Sequence, residues 1–160
     1  MRLAFKTLRD PVQLVALGFG AGLAPRAPGT FGSALALLPA WWCFALPLPW
    51  RVAIVAAVVV LGVWICGESA RRLGVHDHSA IVFDEIAGLL ATSLATPART
   101  IPWFALTFVL FRVFDIAKPW PIRDVDHRMR GGSGIMLDDV MAAAYAAICL
   151  TISRALLPTT

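Results

Sequence analysis

Residues 31–50, FGSALALLPAWWCFALPLPW, carry no charge, and after one arginine the run VAIVAAVVVLGVWICG fills residues 52–67. Uncharged runs of this length suit hydrocarbon, where a chain must satisfy its own backbone polar groups and does so as a helix. Three more apolar runs follow at residues 79–96, 102–117 and 140–158. Pro39 is expected to kink or end the first run, Pro49-Trp50-Arg51 to form the turn after it, and Pro97 and Pro102 to bracket a later turn. Segment 12–24, VQLVALGFGAGLA, is too short and glycine-rich to span. The pattern predicts an all-α, polytopic membrane helical bundle of about four to five membrane-embedded helices. Composition agrees: 15% of the residues are charged, against about 25% in soluble domains.

The whole chain, residues 1–160, reads as one membrane-embedded domain, with residues 1–30 forming an interfacial N-terminal segment and a Gly/Pro loop. The start, MRLAFKTLRD, is basic and amphipathic and lacks the cleavage pattern of a signal peptide. Cys43, Cys66 and Cys149 lie in apolar runs without metal-type spacing and read as buried thiols. If the N-terminus is inside and five runs alternate, only Arg51, Arg99 and Arg154 of the 14 Lys and Arg residues fall outside. That asymmetry obeys the positive-inside rule. The third run, shorter and polar near its start, could instead be re-entrant.

Nine of the ten acids fall between residues 68 and 139, Asp10 being the exception. The alternating topology brings them to one rim. Asp77, Asp84 and Glu85 precede or begin the third run, Asp115 ends the fourth, and Asp138 and Asp139 begin the fifth. Carboxylates are costly near a bilayer unless paired, hydrated or bound to metal. Clustered acids with no His/Cys ligand pattern favour a hard cation such as Mg2+. Plainer readings compete with this one. Asp138 and Asp139 could serve a helix N-terminus, Asp115 could pair with Arg112 one turn earlier, and Asp124 and Asp126 sit among Arg123, Arg128 and Arg130. Asp84 and Glu85 have no basic residue within one turn. His76-Asp77-His78 reads as a polar loop or a weak metal patch.

Two further stretches could hold an anion. GLAPRAPGTFGS, residues 22–33, offers glycines, stiffening prolines and the hydroxyls of Thr30 and Ser33 where an apolar helix starts. It lacks the Lys-Ser/Thr ending of a nucleotide-binding loop, and Thr30 is equally suited to an N-cap role. In FRVFDIAKPWPIRDVD, residues 111–126, Arg112, Asp115 and Lys118 share a helical face until Pro119 and Pro121 stop the helix, leaving Arg123 near the interface.

The motifs APGTFGS, HDHSAIVFDE, FRVFDIAKPWPIRDVD and GGSGIMLDD, in this order, resemble the bacterial phosphatidylglycerophosphatase A family from about residue 12 to about residue 150. The resemblance implies a magnesium-dependent phosphatase of the bacterial cytoplasmic (inner) membrane. It would convert phosphatidylglycerophosphate to phosphatidylglycerol in phospholipid synthesis, at a site on the cytoplasmic face. It carries over Asp77, Asp84, Glu85, Asp115, Lys118, Asp138 and Asp139, with Thr30 and Ser33 in the early loop. Our assignment places Mg2+ among Asp77, Asp84, Glu85, Asp115, Asp138 and Asp139. Asp84, Glu85, Asp115 and Asp139 are the catalytic candidates, and Thr30, Ser33, Arg112, Lys118 and Arg123 face the phosphate. Water attacking in line, activated by a carboxylate, competes with a phospho-aspartate route. The lipid bilayer is the expected partner, with no nucleic acid and no obligate protein partner. A small cation transporter using intramembrane acids and a non-catalytic scaffold with structurally paired acids are the rival classes. Signatures of haloacid-dehalogenase, phosphocysteine and histidine-dependent phosphatases are absent from the sequence.

Overall fold

A computed structural model describes residues 3, 5–75, 78–124, 129 and 131–156. Among them every regular element is helical, and no strand occurs. The order is a 3-10 turn Phe5–Arg9, α1 (Pro11–Ala16), a second 3-10 turn Gly18–Leu23, α2 (Pro28–Cys43), α3 (Leu48–Leu73), α4 (Phe83–Ser93), α5 (Ile101–Ala117) and α6 (Gly132–Leu156). Two of these, α3 with 26 residues and α6 with 25, are long and apolar enough to cross a membrane.

The short helix α4 is the hub, packed against α2, α3, α5 and α6. Its length explains little, but its sequence does: Ala87, Gly88, Leu89, Leu90, Thr92 and Ser93 are all buried. Thr92 keeps its hydroxyl satisfied by donating back to Gly88 O at 2.9 Å, which lets a polar side chain sit in this core. The α3–α6 crossing is close enough to exclude a side chain at Gly132, where a Cβ would lie 1.8 Å from Val63 O. Small residues at such crossings are what allow helices to approach without a hydrophobic drive between them.

The N-terminal segment is fastened to this bundle by polar contacts. Gln13, buried, donates through Nε2 to Ser69 O at 3.2 Å and accepts from Ser69 Oγ at 2.8 Å. Asp10 caps α1, its Oδ1 accepting from Val12 N at 2.9 Å. It also meets Arg72 Nη1 at 2.5 Å, and the hydrogen bond from that guanidinium holds the Asp10 carboxyl below its usual range. Asp10 and Glu68, which pairs with Arg71 and Arg72, therefore serve this surface lattice.

Several expected boundaries move. Pro49-Trp50-Arg51 is not a turn: these residues form the first turn of α3, and the connection lies at residues 44–47. A helix start tolerates proline because the first amides need no intrahelical acceptor. Pro39 neither ends nor replaces α2, which runs on to Cys43. Ala36 and Ala40, buried on either side of it, hold that segment against the core. The third run contracts to α4, and Pro102 lies inside the start of α5. The last helix starts at Gly132 rather than near residue 140, so Asp138 and Asp139 lie well inside it. Their reading as residues of a helix N-terminus fails for that reason.

Candidate carboxylate and phosphate site

Four helices deliver the candidate side chains to one end of α4. The first turn of α4 carries Asp84 and Glu85, the last turn of α5 carries Asp115, α6 brings Asp138 and Asp139, and the start of α2 brings Gly29, Thr30 and Ser33. The far end of the bundle is marked by Arg51, whose Nη2 donates to Ser93 O at 2.7 Å, and by Arg99, stacked 5.0 Å from the Trp41 ring.

Among the described residues, Asp84, Glu85 and Asp139 each place a carboxylate oxygen within 4.8 Å of the others. Asp84 is 8% and Asp139 2% exposed, so water does little to screen their mutual repulsion. Asp84 Oδ1, Glu85 Oε2 and Asp139 Oδ1 are buried without a hydrogen-bond partner. Buried polar atoms are almost always satisfied, and three clustered carboxylates that each keep a buried oxygen without a hydrogen-bond partner are a donor set for a hard cation. The residues present therefore fit Mg2+, which takes oxygen ligands. They do not fit a thiolate- or imidazole-held zinc centre.

The other two acids are paired with cations. Asp115 accepts a short hydrogen bond from Arg112 Nη1 one turn earlier, while also lying beside Asp139. Asp138 Oδ2 receives Lys118 Nζ at 2.6 Å. Lys118 follows the last residue of α5 in a left-handed conformation, φ 41°, a backbone state that a non-glycine residue adopts only at a cost. Pro119 prevents α5 from continuing, and this turn carries the lysine across to α6.

Arg112 is the pivot between the acids and α2. Its Nη1 lies 4.0 Å from Glu85 Oε1 and 3.5 Å from Ser33 Oγ. Ser33 is fully buried and donates to Gly29 O at 2.9 Å. Thr30, half-buried, is not the N-cap. That position is Ala27, in a left-handed conformation with φ 50°, and Thr30 N donates to Ala27 O at 3.0 Å. The residue missed by the sequence reading is Gly29. A Cβ there would lie 2.0 Å from Glu85 Oε1 and 3.2 Å from Arg112 Nη1. Its signal is the APGT stretch, whose glycines read as allowing close backbone approach to an anion, whereas the close neighbour of Gly29 is the Glu85 carboxylate.

Arg123 is exposed at the end of the 119–124 turn. Asp77 and His76 lie outside the described residues. His78 accepts from Ala80 N through Nδ1 at 3.1 Å, a local turn contact.

Fold and site together define a helical protein with helices of membrane-crossing length and a buried acid cluster flanked by an arginine and a lysine. The sequence profile of the phosphatidylglycerophosphatase A family matches residues 14–154, and the chain belongs to that family of phosphatases. It is 44% identical over 142 residues to the Escherichia coli phosphatidylglycerophosphatase A, covering 88% of this chain and 81% of the relative. The Haemophilus influenzae phosphatidylglycerophosphatase A is 42% identical over 143 residues, 89% and 88% of the two chains. A Bacteroides thetaiotaomicron relative, provisionally named a phosphatidylinositol-3-phosphatase, is 37% identical over 149 residues, 88% of this chain and 92% of its own. No solved structure matches.

Proposed function

We propose that this chain is a magnesium-dependent lipid phosphatase that removes the terminal phosphate of phosphatidylglycerophosphate in phospholipid synthesis. The observation that carries the reading is the cluster of Asp84, Glu85 and Asp139, which offer carboxylate oxygens within 4.8 Å of one another and each keep a buried oxygen without a hydrogen-bond partner, beside Arg112 and Lys118. Family membership favours it over a transporter or a scaffold.

Asp84, Glu85 and Asp139 would hold Mg2+, with Asp115 and Asp138 alongside. Bound there, Mg2+ would act as a Lewis acid and offset charge on the phosphoryl oxygens. The chain supplies the rest. Arg112, kept near Ser33 and Glu85, and Lys118, poised by Asp138, orient the phosphate and stabilise the charge that develops on it. Gly29 and Thr30 form the wall of α2 against which it rests. A carboxylate of the cluster accepts the proton of the attacking water, and the glycerol oxygen leaves with a proton from solvent. Attack by water rather than by an aspartate is our preferred route. A single turnover in oxygen-18 water that labels a protein carboxylate would exclude it.

The bundle is read as sitting in the bacterial inner membrane with the acid end facing the cytoplasm. In the alternating topology only Arg51, Arg99 and Arg154 of the 14 Lys and Arg residues fall outside, and this excess of positive charge on the acid side supports the orientation. In this arrangement α2, α3, α5 and α6 cross the bilayer. With 11 residues, about 16 Å of helix, α4 is too short to span alone. Enclosed by its neighbours, it can end inside the bundle without exposing backbone to lipid. Cysteines introduced at Ser79 and Arg51 should react with impermeant reagents from opposite sides of the membrane, and labelling from the same side would refute this topology.

The deciding assay is phosphate release by the purified protein from phosphatidylglycerophosphate, with and without Mg2+, beside phosphatidylinositol-3-phosphate. Magnesium-dependent release from the first is expected. Turnover of neither lipid would end the phosphatase reading, and preference for the second would shift the substrate to that of the Bacteroides relative's name.

A further inference from the structure

Arg112 stands in two environments at once. Its guanidinium belongs to the acid cluster, while its stem lines an open groove of about 400 Å³ on α5 together with Phe108, Val109, Val113, Ile116 and Ala117. Apart from Arg112 the groove is apolar. Val109 and Val113 are each 52% exposed. Arg112 Nε, where stem meets guanidinium, is buried without a hydrogen-bond partner.

An apolar groove alone would accept any hydrocarbon in a bilayer. Arg112 ties this groove to the acid cluster, because the residue that lines it also carries the guanidinium held by Asp115 and Glu85. One chemistry fits both features: a lipid whose chain lies on α5 and whose anionic headgroup turns inwards past Arg112. A second apolar pocket, lined by Phe19, Leu38, Pro39 and Ile86 among others, has no charged residue on its wall and lacks this link to the cluster.

We infer that the α5 groove seats an acyl chain of the lipid-phosphate substrate, with Arg112 as the joint between the chain and headgroup subsites. This rests on the phosphatase reading above and adds to it the side from which the lipid docks. Val109, Val113 and Phe108 then discriminate acylated from soluble phosphate esters. Arg112 then presents its charge where the headgroup passes from the groove to the acid cluster.

The test uses the full chain in bilayer discs. Val109→Trp and Val113→Trp fill the groove, and Val60→Trp, on the lipid-facing side of α3 and 70% exposed, is the control. Filling should raise KM for long-chain phosphatidylglycerophosphate about tenfold. It should leave kcat/KM for the deacylated, water-soluble headgroup phosphate unchanged, and the control should match the wild type on both. Equal losses on both substrates, or groove variants that behave like Val60→Trp, would overturn the inference. A second readout does not depend on turnover. A lipid phosphonate carrying a diazirine on its acyl chain should crosslink to residues 108–117 of the wild type, competed by phosphatidic acid but not by phosphatidylcholine. Crosslinks elsewhere, or equal competition by both lipids, would overturn the inference whatever the catalytic assay gives. Crosslinks on α5 in a chain that turns over neither substrate would support the groove and refute the reaction.

Discussion

Lys118 Nζ lies 2.6 Å from Asp138 Oδ2, joining the turn after α5 to the second turn of α6. The lysine side chain is 28% and the aspartate 10% exposed, so the pair works in a partly desolvated setting where a charge-assisted hydrogen bond is strong. The contact holds the two helices that carry Asp115 and Asp139 and fixes the lysine head near the acid cluster. Removing either partner leaves a poorly solvated charge behind.

Lys118→Met should lower kcat/KM by about 10²–10³-fold, the scale of losing one group that stabilises transition-state charge. Lys118→Arg should recover only part of it, because a planar fork does not reproduce a point charge on a flexible stem. Pairing with Asp138→Asn in a double-mutant cycle separates the roles. If the lysine serves only to balance Asp138, the double variant will be close to wild type, and the phosphate-orienting role falls.

Asp84→Asn, Glu85→Gln and Asp139→Asn should each abolish Mg2+-dependent turnover. Each should also remove the stabilisation that Mg2+ confers, which in the wild type should reach about 5 °C in Tm at 100-fold excess over Kd. Thermal melts with and without EDTA check this independently of catalysis. A wild-type melt insensitive to Mg2+ would refute the three-carboxylate metal site.

Gly29→Ala should damage activity more than stability. The added carbon would meet Glu85 Oε1 at 2.0 Å, so the carboxylate must swing away from its place between Arg112 and the other acids. Shortening the acid makes room: Gly29→Ala with Glu85→Asp should be more active than Gly29→Ala alone. No rescue, or a Tm loss that accounts for the whole effect, would place Gly29 among ordinary packing residues.

At the far end, Arg51→Met should cost about 1–2 kcal/mol of stability while leaving kcat unchanged. It would lose a charge-assisted bond to Ser93 O and a cation–π contact 4.5 Å from the Phe44 ring. A fall in kcat at constant Tm would mean that this end is coupled to the reaction.

The helical class, the apolar runs and the acid inventory were legible because they are properties of local sequence. Hydrocarbon demands internally bonded backbone, and an uncharged run announces that demand residue by residue. Boundaries were less legible. Proline carries opposite meanings at a helix start and in its interior, so Pro49 and Pro102 were read as turns although they sit at helix beginnings. Gly132 precedes the apolar run at residues 140–158, so that run does not mark it as the helical residue required at the close α3–α6 crossing.

The acids as a set could be read from the chain, but most of their division could not. The sequence placed Asp77, Asp84, Glu85, Asp115, Asp138 and Asp139 in one group. The pairing of Asp115 with Arg112 one turn earlier lies within the reach of the sequence; only the packing of the helices brings Lys118 to Asp138 and sets Asp84, Glu85 and Asp139 within 4.8 Å of one another. The same packing makes Gly29 a clearance for Glu85, a neighbour that the APGT stretch does not name. The physical reason is range. Solvation and hydrogen bonding of the backbone act between neighbours along the chain, whereas charge pairing and steric exclusion act over a few ångströms between residues brought together only by the fold.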